Sequence, residues 1–376
     1  MELYDRWPAV ADAEELGFDV ARLERVRGVC RQVMDAHAIR GMAIAVARGG
    51  SMALSEAFGV AGADADAPPA TPETVWLLAS ITKPFTASAI CLLAERGELQ
   101  LSDPVTRYLP DFAAEGKGDI QLLHLLTHTS GLPDMLPNNN ELRQQHAPHE
   151  RFVEEICQVG LLFPPGAGVS YQSMGIATLA HIVELITGER LRDFLKREFF
   201  QPLGMSSSAL GWDPALADRV ATADLSPAQL ASDWGWNSHY WRDFGAPWGG
   251  MFATATDVAL FLEMLAGMGE WDGQRIFAPR TVEAMSEPFS LWLTKQIGDA
   301  PWGRVWGLGW ALSEGAPPEF MGDLVGKFAF GHAGATGTCA WHDGDTDITC
   351  VILTNKPGTH GVLGRISNAV IGACVE

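Results

Sequence analysis

The N-terminal part of the chain changes from a helical to a strand-like pattern of apolar residues. Apolar positions recur at three- and four-residue spacing over 20–34, and Asp19 stands where an N-cap would satisfy the first free amide groups. Two apolar runs, 42–47 and 52–58, follow on either side of a Gly-rich turn. The sequence therefore predicts an amphipathic helix followed by a β-hairpin.

Helical patterns dominate from about residue 80 to residue 200, and strand patterns return in the Gly-rich last third. The expected strands cover 308–313, 328–331 and a hairpin within 336–355, and a last helix covers about 361–374. Strands at both ends with helices between them predict an α+β fold. Its antiparallel sheet is built from both chain ends, flanked by the N- and C-terminal helices, and interrupted by an inserted, mainly helical domain.

This arrangement also predicts the domain boundaries. Residues 1–76 and 245–376 would form the sheet domain, and residues 77–244 the helical domain. We expect the active site in the cleft between the two, since a sheet edge and helix ends would meet there.

The last hairpin sets an expectation for two of the six cysteines. A two-residue turn would pair Asp343 with Thr346 and place Cys339 opposite Cys350. The chain has no Cys-x-x-Cys and no Cys/His grouping with zinc spacing, so we expect reduced thiols rather than disulfides.

Charge and hydropathy exclude several kinds of partner. Forty-six acidic residues against 26 basic ones give a net charge of −20, which repels nucleic acid and anionic membranes. No apolar run is long enough to span a bilayer, and the first residues do not form a secretory leader. We therefore expect a cytoplasmic protein without nucleic acid or membrane as a partner; the sequence sets no expectation for its oligomeric state.

Several catalytic motifs are missing. The chain lacks Gly-x-Ser-x-Gly, the P-loop, a Gly-x-Gly-x-x-Gly after a strand, and His-Glu-x-x-His, so no cofactor is expected. His124 and His128 lie four residues apart, but no carboxylate or cysteine accompanies them nearby. We interpret both as structural histidines and expect no metal.

The positive signal is Ser80-Ile81-Thr82-Lys83-Pro84. Pro84 is tolerated only in the first turn of a helix, which places Ser80 at the N-terminus and Lys83 on the same face one turn later. A desolvated lysine can take a serine proton, and free amide groups at a helix start can stabilise an oxyanion. The alternative is a capping serine beside an exposed lysine.

Two further segments contain chemically useful residues. Tyr171 and Ser173 follow a turn-rich stretch and lie at the start of a predicted helix. His332, Gly334 and Ala335 belong to a run of small residues where a strand can approach a ligand closely. The alternatives are a helix-start tyrosine with a solvated hydroxyl, and a structural histidine bonded to a neighbouring carbonyl.

With these motifs in order, the chain resembles the serine β-lactamase and penicillin-binding-protein superfamily, in particular its class C-like branch and its family VIII carboxylesterases. Ser80–Lys83 is similar to Ser-x-x-Lys, Tyr171–Ser173 to Tyr-x-Asn, and His332–Gly334 to Lys-Thr-Gly. The stretches 125–132 and 248–251 also look like the family.

The resemblance implies a role for each position. Ser80 would be the nucleophile, Lys83 its base, and Tyr171 the residue that passes a proton to the leaving group. The amide groups of Ser80 and Ala335 would form the oxyanion hole. The other expected substrate-binding residues are His332, Gly334, Ser173 and Trp248.

Two departures from the family pattern bear on the substrate. Ser173 replaces the usual Asn, and the third motif is His-Ala-Gly, which offers neither the cation nor the hydroxyl that suits a lactam carboxylate. Nine of the 13 tryptophans lie within 234–310, and some of them should wall an apolar pocket.

We therefore predict a metal-free serine hydrolase that forms an acyl-enzyme, most simply a carboxylesterase acting on small-molecule esters of small or apolar acids. An acyltransferase, and an amide or β-lactam hydrolase such as a D-aminopeptidase, are the enzymatic alternatives. A binding protein on an inactive hydrolase scaffold is the non-enzymatic one.

Overall fold

The computed structural model describes residue 7 and residues 11–64, 66–294, 304–314 and 316–376. The strands in these ranges are β1 (Gly41–Arg48), β2 (Ser51–Gly59), β3 (Trp76–Leu77), β4 (Ala209–Leu210), β5 (Met251–Ala253), β6 (Glu270–Trp271), β7 (Gln274–Arg275), β8 (Val305–Trp306), β9 (Ala311–Leu312), β10 (Ala329–Gly334), β11 (Thr338–Asp343) and β12 (Ile348–Thr354).

The α-helices in the described ranges are α1 (Val20–His37), α2 (Thr82–Glu95), α3 (Leu122–Leu126), α4 (Asn139–Gln144), α5 (His149–Gln158), α6 (Met174–Thr187), α7 (Leu191–Leu195), α8 (Gln201–Leu203), α9 (Pro227–Leu230), α10 (His239–Phe244), α11 (Ala255–Ala266), α12 (Pro279–Met285), α13 (Phe289–Thr294) and α14 (Gly364–Ile371).

The main sheet is built from both ends of the chain, as predicted. Its strand order is β2-β1-β12-β11-β10-β9-β8, and every neighbouring pair is antiparallel. Asp19 caps α1 by accepting a hydrogen bond from the Arg22 amide, also as predicted. The helical region between β2 and β8 is inserted into this sheet, while the domain boundaries given above stay a prediction.

Strand alternation sorts the core onto the two faces of the sheet. Met42, Ile44 and Val46 of β1 pack with α1 and α14 on one face, whereas the intervening alanines of β1 face α11 and the helical region. Both faces of β1 and β12 are therefore buried, and the sheet is the wall on which the helical region rests.

The predicted pairing of the last hairpin is wrong by two residues. Asp343 pairs with Ile348 across a four-residue turn, so Trp341 lies opposite Cys350 and Cys339 opposite Ile352. The Asp343 carboxylate accepts hydrogen bonds from the Asp345 amide and from the Thr346 hydroxyl, and these contacts stabilise the longer turn.

Three other boundaries differ from expectation. The strand predicted over 308–313 is reduced to β9, β8 was not predicted, and the last helix begins only at Gly364 after a 3₁₀ turn over His360–Leu363. Short strands give too few alternating positions for a periodicity to be visible.

The cysteines provide a test of this packing. All six are free; five are buried, and burial raises the pKa of Cys30 to about 12. A thiol reagent should therefore label only Cys374 rapidly in the native protein, and all six after denaturation without reductant. A count of four thiols, with Cys339 and Cys350 joined in a peptide map, would contradict both the register and the thiol state.

Candidate active site

Ser80 lies in a 3₁₀ turn, Ala79–Ile81, that runs directly into α2. Thr82 secures this turn, because its hydroxyl donates to the Ala79 carbonyl at 2.7 Å and accepts from the Met251 amide at 3.0 Å. Ser80 is thus at the beginning of a helix, as the sequence predicted.

The end of β10 packs directly against the serine turn. A Cβ atom on Gly334 would lie 2.2 Å from the Leu78 carbonyl oxygen, so only glycine permits this approach. The hydroxyls of Thr336 and Thr338 donate to the carbonyls of Leu77 and Leu78 at 2.7 and 2.9 Å. These contacts hold the third motif beside the first.

Lys83 is buried beneath Ser80. Its Nζ lies 2.9 Å from Ser80 Oγ and donates to the Trp248 carbonyl at 2.9 Å. Desolvation lowers the pKa of Lys83 to about 7, partly opposed by the negative charge of Asp134. A large share of Lys83 is therefore neutral near pH 7. Because Lys83 is buried, the alternative of an exposed surface lysine is ruled out.

Tyr171 completes the arrangement. Its hydroxyl interacts with the Ser80 side chain, and its ring centroid lies 4.8 Å from Lys83 Nζ. Burial raises the pKa of Tyr171 above its ordinary value. Tyr171 therefore keeps its proton at neutral pH, and its partly buried side chain lines the same cavity as Ser80.

His332 faces the same cavity as a neutral ring. Its Nδ1 donates to the Ala333 carbonyl at 2.7 Å, and burial lowers the pKa of His332 to about 3. Nε2 is buried without a hydrogen-bond partner among the described residues. The alternative interpretation, a histidine bonded to a neighbouring carbonyl, is therefore correct for Nδ1. His332 nevertheless lines the site.

The cavity above Ser80 has a volume of about 460 Å³. Its floor and walls combine Ser80 and Tyr171 with the third motif and with aromatic and charged side chains. The described residues that line it are Ser80, Asp134, Leu162, Ser170, Tyr171, Arg304, Trp306, Ala311, Phe320, His332, Ala333, Gly334, Ala335 and His360. A cavity of this size fits a small-molecule substrate.

Ser173 lies beneath the cavity wall rather than in it. Its hydroxyl and amide donate to Asp134 Oδ1 at 2.7 and 2.9 Å. The third residue of the second motif therefore orients an exposed carboxylate at the cavity rim. We did not predict Asp134, although it lies two residues after the family-like stretch 125–132.

Trp248 was expected to contact substrate, and the structure gives it another position. Its ring packs against Phe152 and Phe244, while its carbonyl accepts the Lys83 hydrogen bond. The tryptophan that does wall the cavity is Trp306, whose ring centroid lies 5.7 Å from that of Tyr171. Trp302 lies outside the described residues.

Other residues of the site had no signal in the sequence. Arg304, Phe320 and His360 come from separate loops and short helices, and Arg304 contacts Glu319 at 3.4 Å. His124 and His128 are structural, as predicted, because Nδ1 of each accepts a hydrogen bond from a backbone amide, those of Gln121 and Gln172.

Comparison with known proteins agrees with this geometry. The sequence profile of the family described as Beta-lactamase matches residues 26–370. The chain belongs to this family. Penicillin-binding protein 4 of Amycolatopsis lactamdurans is 32% identical over 280 residues, which cover 71% of this chain and 68% of that protein.

Two further proteins are similar to this chain over different lengths. Esterase EstB of Burkholderia gladioli is 33% identical over 213 residues, 52% of this chain and 54% of that protein. The crystal structure of a penicillin-binding protein homologue from Caulobacter crescentus has a TM-score of 0.79 at 24% identity, with 95% of this chain and 99% of that chain covered. This β-lactamase-family protein is accordingly a serine hydrolase, and its fold is the one predicted.

Among the described residues, no helix is both long and apolar enough to cross a bilayer.

Burial of Lys83 predicts a distinctive dependence of stability on pH. Because the pKa of Lys83 falls from 10.5 to about 7 on folding, the unfolded chain binds more protons than the folded chain between these two values. The contribution of Lys83 to stability is therefore least favourable below pH 7 and improves as the pH rises through this window. Lys83→Met removes the titrating group. The free energy of unfolding of the parent minus that of the variant should rise by on the order of 1 kcal/mol per pH unit above pH 7.

Urea unfolding of both proteins between pH 6 and 9 measures this difference. Replacement of the exposed Lys327 by Met is the matched control and should give a difference that stays flat with pH. A flat difference for Lys83→Met as well would show that Lys83 is not desolvated.

Proposed function

We propose that this serine hydrolase is a carboxylesterase that acts on esters of small or apolar acids through an acyl-enzyme on Ser80. The observation that carries the proposal is the group of three side chains at one point. Ser80 Oγ is 2.9 Å from the amine of Lys83, whose pKa is about 7, and the Tyr171 hydroxyl interacts with Ser80 in the same cavity. A weak nucleophile, a base poised near neutrality and a protonated donor are the groups that acyl transfer needs.

Acylation follows from the protonation states. Neutral Lys83 takes the proton of Ser80 as Oγ attacks the ester carbonyl, and the amide groups of Ser80 and Ala335 stabilise the oxyanion. Because its pKa is raised, Tyr171 remains a phenol and can give its proton to the departing alkoxide. The proton held by Lys83 then restores the Tyr171 hydroxyl.

Deacylation reverses these roles. Water adds to the acyl carbonyl while the Tyr171–Lys83 pair takes its proton, and the same pair returns that proton to Ser80 Oγ as the acid leaves. The net reaction consumes one ester and one water and releases one acid and one alcohol.

The third motif supports an uncharged substrate. His332 is neutral because its pKa is about 3, and Ala333 offers no side-chain donor, so neither side chain provides the positive charge and hydroxyl that suit a carboxylate. Trp306 and Phe320 supply apolar walls next to them. Esterase activity is also the activity named for EstB, which is similar over about half of this chain.

Removing any of the three groups should abolish turnover of an aryl ester. We expect Ser80→Ala, Lys83→Met and Tyr171→Phe each to lower kcat by on the order of a thousandfold or more, because the three act as one unit. Hydrolysis of a chromogenic ester and the intact mass of the protein measure the effect, the parent showing an acyl adduct on Ser80.

Ser88→Ala, a change of another buried serine in α2, is the matched control and should keep most activity. Chelators should leave catalysis unchanged. Retention of half the activity in Ser80→Ala would contradict the mechanism.

Substrate preference gives a separate test. Arg304 lines the same cavity, but it contacts Glu319 at 3.4 Å, and neither His332 nor Ala333 adds a partner for a lactam carboxylate. Because an incompletely paired carboxylate costs several kcal/mol, short-chain aryl esters should exceed penicillins and cephalosporins in kcat/KM by at least about a hundredfold. His332→Lys combined with Ala333→Thr should narrow this ratio by improving the lactam rate. A cephalosporin hydrolysed as efficiently as the esters by the parent protein would assign the enzyme as a lactamase instead.

A further inference from the structure

Away from Ser80, three side chains with metal-binding chemistry converge between two helices. His149 is the first residue of α5, and His181 and Glu184 lie three residues apart on one face of α6. One potential ligand atom from each of the three lies within 4.8 Å of the others. None of them lines the cavity that holds Ser80, although the His149 ring centroid lies 6.5 Å from that of Trp248.

His149 is fixed in the form that binds a metal. Its Nε2 donates to the Ala177 carbonyl at 3.0 Å, which leaves the lone pair on Nδ1. A backbone carbonyl in this position is the usual orienting contact of a ligating histidine.

His181 supplies an independent observation. Its Nδ1 is buried and has no hydrogen-bond partner among the described residues. A buried, unpaired polar nitrogen is costly unless something occupies it. The ring centroid of His181 lies 6.1 Å from that of His149 at a steep angle, so the two rings approach from different directions.

Glu184 completes the group with an oriented carboxylate. Its Oε1 accepts hydrogen bonds from Arg190 Nε at 3.2 Å and from the Leu191 amide at 3.0 Å. The Arg190 charge opposes a cation here, but its side chain is 55% exposed and can turn towards water. The Leu191 contact would continue to hold the carboxylate.

The cluster also has a route to solvent. His149 belongs to the lining of a surface groove of about 660 Å³ that includes His146, Asp233 and His239. The net charge of −20 raises the local concentration of cations around the protein.

We propose that His149, His181 and Glu184 bind one divalent transition-metal ion, best matched by Zn²⁺, which links α5 to α6. Two imidazoles and one carboxylate are ordinary zinc ligands, with a water molecule in the fourth position. Tetrahedral coordination at about 2.0–2.1 Å requires ligand atoms roughly 3.3 Å apart, so the three side chains must close by about 1.5 Å or less. The ion is structural, and catalysis does not depend on it.

Competition with a chromophoric chelator tests the proposal on tag-free protein that has first been stripped of metal. We expect one equivalent of Zn²⁺ with a Kd in the micromolar range or below, and a rise in Tm of about 2–5 °C at saturating Zn²⁺. Co²⁺ should give the visible bands of a tetrahedral site without a thiolate charge-transfer band, which excludes the cysteines as ligands.

Variants localise the ion. His181→Gln and Glu184→Gln should each lose the tight equivalent and the Tm rise, whereas His37→Gln, a change in α1, should keep both. Circular dichroism identifies any variant that fails to fold. If one of the two cluster variants does not fold, the other one tests whether the metal binds at this cluster. Absence of a tight equivalent in the parent, or its persistence in both cluster variants, would overturn the proposal; because the ester assay is run separately, neither result bears on the proposed function.

Discussion

The site depends on keeping the amino group of one lysine out of water. Lys83 is 1% exposed, and its Nζ is held between Ser80 Oγ and the Trp248 carbonyl. Burial of an ammonium ion is unfavourable, and this unfavourable energy is what makes the neutral amine available as a base near pH 7. The aromatic packing around Trp248 therefore serves chemistry indirectly, because it fixes the residue whose carbonyl accepts the Lys83 hydrogen bond.

The second requirement is that chain segments far apart in sequence meet to within a hydrogen bond. Gly334 brings β10 against the Leu78 carbonyl, and the hydroxyls of Thr336 and Thr338 fix that contact. Small residues at the end of this strand matter because they place no large side chain in the contact. A side chain there would separate the nucleophile from the amide of Ala335 that is proposed to stabilise the oxyanion.

The sequence could predict the features that depend on residues close together in the chain, and it failed for those that depend on tertiary contacts. Pro84 marked the first turn of the helix, and the three-residue spacing then placed Ser80 and Lys83 on the same face. A single helical turn is enough to determine this arrangement. The prediction of the hairpin register failed because the turn length is set by side-chain contacts of Asp343, which do not show in the periodicity of the sequence. Arg304, Phe320 and His360 reach the cavity from loops and short helices whose course depends on tertiary packing, and no local pattern identifies them.

The closure of the sheet has a consequence for how the molecule is made. Strand β1 pairs with β12, and the Gly41 amide donates to the Asn355 side chain, 314 residues along the chain. During synthesis the β1–β2 hairpin emerges before β12 and finds no partner for its inner edge until the intervening chain of about 300 residues has left the ribosome. Such long-range pairing slows folding and leaves an apolar strand edge open in the meantime. The nascent chain is thus most vulnerable to aggregation before its last hairpin arrives, and chaperones that shield strand edges would act in that interval.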